Sequence, residues 1–210
     1  MGSEYLVAGL RIATVMVPVA LYFLIVGLLN SRRRPQLLTG RRDFALLVVA
    51  LSPLFALPAL SYFGVTLRSV AVAAGCVAAV VWLLAPRGKT WVIYNLLPSE
   101  AAEIAAHVLR DAGVHFTPTR HGFEIPAGGS VELSAFRMLR NVTVRLRGGD
   151  ETLARRFEAG LEREVSAVRV ETAPMAVAML LVAVAMMVTP LTLVAHRADE
   201  IVRLLTDLLP

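Results

Sequence analysis

The chain is poor in charge: Asp, Glu, Lys and Arg make up 18% of its residues, against about a quarter in an ordinary soluble domain. It has one cysteine, Cys76, and one lysine, Lys89. A single cysteine excludes an internal disulfide framework and any CxxC or Cys/His zinc site. Set in an apolar run, Cys76 reads as a small hydrophobe. Long apolar stretches carry no carboxylate, which speaks against ion-coupled carriers and channels, since these need intramembrane charge. There is no Gly-rich phosphate loop, no GxSxG and no HExxH; "AGGS" at 127–130 and "RGGD" at 147–150 read as turns. No catalytic residue, cofactor site or metal site is therefore assigned, and an enzyme is not expected. The opening "MGSEYLVAGLR" lacks a basic n-region, the apolar stretch behind it is too long for a signal peptide, and Leu6 stands where a myristoylation motif has Ser or Thr.

What is present is apolar: 57% of the residues, with a mean hydropathy of +0.67. Four runs reach the roughly 17–25 residues that a bilayer-crossing helix needs at 1.5 Å per residue. They lie at about 5–29, 44–63, 67–86 and 173–195. The third reaches this length when Arg68 snorkels at its outer end. The reading is three transmembrane helices in residues 1–86, an α+β domain at 87–172, a fourth transmembrane helix at 173–195 and an amphipathic helix at 196–210.

The connector "NSRRRPQLLTGRRDF" sets the orientation. Arg32, Arg33, Arg34, Arg41 and Arg42 crowd a loop between two apolar runs. Short loops rich in arginine stay in the cytoplasm, which puts the α+β domain inside and both termini outside. The same arginines suit anionic lipid headgroups, a compatible use. This loop explains much of the net charge of +5, and residues 87–172 hold twelve basic and eleven acidic side chains, so nucleic acid is not an expected partner. The preference for arginine over lysine reads as a GC-rich genome, and the expected location is a bacterial inner membrane.

Pro18, Pro53, Pro58 and Pro190 fall inside the apolar runs. Each removes a backbone donor and tends to kink a helix. Pro53 and Pro58 beside Ser52 suggest a broken second helix, as transporters use. Ala71, Gly75 and Ala79, spaced by four, form a face on which another helix backbone approaches closely. Met175, Met179, Met186 and Met187 read as adaptable packing.

Within 87–172, "TWVIYNL" reads as a strand and "LPSEAAEIAAHVLRDAG" as a helix started at Pro98 and closed at Gly113. A His121-Gly122 turn joins two short extended runs. Val142, Val144 and Leu146 alternate with Thr143, Arg145 and Arg147. A second helix carries Leu153, Phe157 and Leu161, with Gly160 as an internal cost. "SAVRVET" reads as a last strand. The order β-α-β-β-α-β is the ferredoxin-like plan, with Trp82 and Trp91 marking the membrane interface. The stretch "YNLLPSEAAEIAAHVLRDAGVHF" resembles the first half of the ring-building modules of flagellar and secretion-system basal bodies; the segment C-terminal to it departs from them, and no function is carried over.

His107, His115 and His121 match no ligand spacing and read as surface residues, with a metal site the alternative. Arg137, Arg140, Arg145 and Arg147 make a positive strand region. Ile201, Leu204, Leu205 and Leu208 line the apolar face of the tail, suited to a membrane surface or a partner. Together these features lead to the expectation of a non-catalytic scaffold, assembly or regulatory subunit of a larger membrane complex. Its expected partners are lipids and other subunits or a second copy. The alternative is a transporter or channel component with the kinked second helix along the pathway.

Overall fold

A computed structural model describes residues 2–195 except 65, 87 and 127. The tail residues Ile201, Leu204, Leu205 and Leu208 thus lie outside the described residues.

The chain opens with α1 (Gly2–Ser31), followed by a short strand β1 (Gln36–Thr39) and then α2 (Gly40–Leu51), α3 (Pro53–Phe63) and α4 (Leu67–Leu84). Helix α2 starts where Thr39 Oγ1 accepts from the Arg42 amide, and it stops at Ser52 because Pro53 has no amide to continue the ladder. Helix α4 is started by a reciprocal cap: Thr66 Oγ1 accepts from Ser69 N at 3.1 Å and Ser69 Oγ from Thr66 N at 2.9 Å. Among the described residues, three helical stretches, Ile12–Ser31, Gly40–Leu60 and Leu67–Leu84, are long and apolar enough to cross a membrane, and Pro174–Pro190 is a shorter apolar helix.

The remaining elements are β2 (Lys89–Tyr94), α5 (Pro98–Asp111), β3 (Thr117–Thr119), β4 (Gly122–Ile125), β5 (Gly129–Phe136), β6 (Asn141–Arg147), α6 (Glu151–Ala167) and α7 (Pro174–Ala195), with a 3-10 turn at Arg137–Leu139. Helix α5 begins at Pro98, with Glu100 Oε2 accepting from Leu97 N; α6 begins where Asp150 Oδ1 accepts from Leu153 N at 2.7 Å.

Among the described residues, six strands form one sheet in the order β1-β2-β6-β5-β4-β3, every pair antiparallel. The expected β-α-β-β-α-β order is met only in part, since four strands, not two, lie between α5 and α6. Strands β3 to β6 form a continuous meander, and β2 joins it antiparallel to β6. Residues 166–172, expected as the last strand, form none: Ser166 and Ala167 end α6 and 168–172 have no regular structure. Their place at the edge of the sheet beside β2 is taken by β1, which comes from inside the arginine connector. Gly122 makes the meander possible: its φ is +143°, and a Cβ there would run into the Val131 carbonyl of β5.

Helices α5 and α6 cover one face of the sheet. Trp91, Ile93, Val131, Val142, Val144 and Leu146 meet Ile104, Leu109, Phe157, Leu161 and Val165 there. Trp91 is therefore core, its ring 5.7 Å from that of Phe157, and not an interface marker. Gly160 is no mere cost: a Cβ on it would stand 2.6 Å from Val108 Cγ1, so its absence lets α6 close on α5. On the other face, Val92 and Tyr94 pack with Val26, Tyr22 and Leu29 of α1, Leu38 of β1 and Met179 of α7. Strand β2 is apolar on both sides, without alternation, because both of its faces are covered.

Candidate functional site at the junction of helices and sheet

The end of α1, the end of β2, the start of β6 and the approach to α7 meet at one polar node. Asn30 and Asn95 are fully buried there, 65 positions apart. The Asn95 amide donates to Asn30 Oδ1 at 3.1 Å, and Asn30 Nδ2 donates back into its own helix, to Val26 O at 2.9 Å. Asn95 Nδ2 donates to the carbonyls of Arg32 (2.9 Å) and Glu171 (3.2 Å). Val170 N donates to Arg33 O, Thr172 Oγ1 to Ser31 O, and Leu96 N to Arg140 O. The end of α1, where a helix leaves carbonyls without internal partners, is thus held in part by the segment leading to α7: Ser31 O and Arg33 O accept from Thr172 and Val170.

Asn95 (φ 59°) and Arg140 (φ 51°) are the two non-glycine residues with left-handed backbone among the described residues, and both stand at this node. Asparagine tolerates that conformation better than most residues. Arg140 Nη1 also reaches the Glu171 carbonyl at 3.5 Å. Asn95 Oδ1 is buried and accepts no hydrogen bond from the protein.

A second polar contact ties the sheet to α2. The Tyr94 hydroxyl, part-buried, donates to Asp43 Oδ1 in the first turn of α2. Burial, first, and then the hydrogen bond and charge of Asp43 raise the Tyr94 phenol far above its ordinary value, so it remains a donor.

The five arginines frame β1. Arg32, Arg33 and Arg34 follow α1, Arg41 and Arg42 lie in the first turn of α2, and all five side chains are exposed. The connector is thus a pinned strand with charged ends: Leu37 faces the α5–α6 core and Leu38 the α1–α7 side. The four-residue run "QLLT" was the available signal, too short to read without its partner strand.

Ala71, Gly75 and Ala79 are all exposed, and among the described residues nothing lies within 4 Å of where a Gly75 Cβ would be. Among the described residues, small residues approach closely between α1 and α7. Ala20, Ala176 and Ala183 are fully buried, and a Cβ on Gly27 would meet Leu180 at 2.9 Å and the Ala176 carbonyl at 3.3 Å. The sevenfold spacing of 20 and 27, and of 176 and 183, was its signal. Between α4 and the α2–α3 pair lies an apolar groove of about 850 Å³, lined by Leu51, Phe55, Leu60, Val72, Cys76 and Val80 and reaching Ser52.

The histidines do not converge. His115 and His121 are exposed on and beside the β3–β4 hairpin. His107 Nδ1 lies 3.8 Å from Asp111 Oδ2 and 3.8 Å from Glu164 Oε1, a grouping of metal-ligand type. Arg163 already holds both carboxylates, at 3.0 and 3.4 Å, so a cation is built into the cluster and a metal ion would have to displace it. Of the basic strand residues, Arg147 is paired with Glu132 at 3.0 Å across β5 and β6, which removes it from any continuous positive face.

No protein-family model matches the chain, and neither a curated protein nor a solved structure does.

Proposed function

We propose that the chain is a non-catalytic membrane subunit that scaffolds, assembles or regulates a larger complex. In this reading α1, the α2–α3 pair, α4 and α7 cross a bacterial inner membrane, the sheet domain is cytoplasmic and both termini are outside. The observation that carries it is α4, an apolar helix with no residue buried among the described residues and an exposed small-residue face, Ala71, Gly75 and Ala79. The rest of the described molecule is tied together: α1 and α7 pack closely, and the Asn30–Asn95 node fixes both to the sheet. Such a frame would hold α4 and its groove toward a neighbouring helix. A transport pathway gains little from the groove, because its walls are those that a hydrocarbon chain or an apolar helix fits.

The test is purification from native membranes in mild detergent, with mass spectrometry of the proteins that accompany the chain in stoichiometric amount. Gly75→Leu should release that partner and leave the chain folded. A chain that purifies alone, with Gly75→Leu indistinguishable from wild type, overturns the reading. Orientation is read separately in a Cys76→Ala background. A membrane-impermeant maleimide on intact cells should label Tyr62→Cys and spare Arg120→Cys.

A further inference from the structure

Large apolar side chains are exposed along all the apolar helices, as expected of surfaces made for lipid. In the sheet domain, among the described residues, only Leu97, Phe136 and Met138 are exposed large hydrophobics, Phe136 by 57% and Met138 by 61%. They are not scattered. Phe136 closes β5, opposite Asn141 at the start of β6, and Met138 lies in the 3-10 turn between them. Leu97 follows Leu96, whose amide donates to Arg140 O at 2.7 Å. All three therefore stand at one end of the sheet, the end where α1 finishes and α7 begins.

The β5–β6 tip is also held beside the helices. Between the exposed Phe136 and Met138 and the left-handed Arg140, Leu139 turns inward onto the cluster of Val26, Tyr94 and Met179. Arg140 Nη1 reaches the Glu171 carbonyl, three residues before α7. The tip thus has an inward anchor (Leu139), two outward apolar side chains and an exposed arginine, Arg137, level with the ends of two apolar helices. Exposed Arg32, Arg33 and Arg34 follow α1 at the same end.

An aromatic, a thioether and arginines at the level where apolar helices end is the composition of an interfacial anchor. Apolar side chains enter the headgroup–acyl boundary, and guanidinium groups meet phosphate. We propose that the Phe136–Arg140 tip is a membrane-inserted wedge: Phe136 and Met138 enter the leaflet at which α1 ends and α7 begins, and Arg137 binds anionic headgroups. The proposal rests on the membrane-spanning reading above. It adds a hold on the bilayer to those the sheet already has through α4, α7 and the β1 strand between α1 and α2.

Environment-sensitive labelling in vesicles of phosphatidylcholine and phosphatidylglycerol tests it. One fluorophore is placed on native Cys76, in the middle of α4. Another is placed on Met138→Cys and a third on His121→Cys, both in a Cys76→Ala background. Lipids with a nitroxide near the headgroup should quench the label at 138, and aqueous iodide should not. Deep nitroxides should quench the label at 76, and iodide the label at 121. A label at 138 quenched by iodide and untouched by lipid, with the label at 76 still quenched by lipid, overturns the wedge and leaves the spans. Protection at 138 from both quenchers overturns it in favour of a protein contact. A label at 76 that no lipid quenches overturns the spanning reading and the wedge with it.

Discussion

Helices α1 and α4 are both apolar, with 18-residue windows of mean hydropathy 2.5 and 2.1, yet the chain treats them differently. Of the first window 22% is buried within the chain, and of the second none. Both carry small residues at helical spacing. On α1, Gly27 stands against Leu180 and the Ala176 carbonyl of α7, and Ala20 of α1 and Ala183 of α7 are fully buried. On α4, Ala71, Gly75 and Ala79 face outward, and its inner side rests across a groove from α2 and α3. Small residues therefore permit close packing without choosing a partner. The choice was made by the node that ties the end of α1 to the approach to α7 and sets the two helices side by side.

The sharpest way to break this contrast is to enlarge one glycine on each helix. Gly27→Leu forces a side chain into Leu180 and should cost about 3 kcal/mol. Gly75→Leu meets nothing among the described residues and should stay within about 0.5 kcal/mol in the isolated chain. Thermal unfolding in detergent measures both, and equal losses would erase the distinction. Next comes the node. Asn95→Ala removes two side-chain donors to carbonyls and places a Cβ residue without a compensating hydrogen bond at φ 59°, for an expected loss of about 2–3 kcal/mol. Asn95→Gly restores the backbone preference and should recover part of that loss. Protease sensitivity at residues 168–173 is the local readout.

Smaller effects sharpen the comparison at the sheet. Tyr94→Phe removes the donor to Asp43 and should cost about 1 kcal/mol. Because the folded phenol titrates above its ordinary value, the Tyr94 contribution is complete below the unfolded pKa of about 10 and is lost as pH rises beyond it. The mutant and wild-type melting temperatures should therefore differ at neutral pH and converge in strong alkali. A constant gap would show that Tyr94 acts by packing alone. Last, Gly160→Ala gains about 1 kcal/mol of helix propensity and meets Val108, so the net loss should be near 1 kcal/mol and should disappear in a Val108→Ala background.

Much of this molecule was legible because its signals are local. Pro98 and Glu100 mark the start of α5, Asp150 caps α6, and Val142, Val144 and Leu146 alternate along β6. Each of these lies within one turn or one strand period of its cause. Where the reading failed, the cause was distant. "QLLT" became β1 because residues 91–94 offer it an open edge, while "SAVRVET", richer in strand-forming residues, gave its Val170 amide to Arg33 O and formed no strand. Trp91 looked like an interface residue and is core, because β2 is covered on both faces.

By itself, the sequence determined which segments are apolar enough for a membrane and where helices start and strands alternate, since hydropathy and capping act over a few residues. Only the tertiary structure decided the sheet order, the partner of each small-residue face and the node at Asn30 and Asn95. Those depend on which buried backbone groups, dozens of positions apart, must find one another when water is excluded.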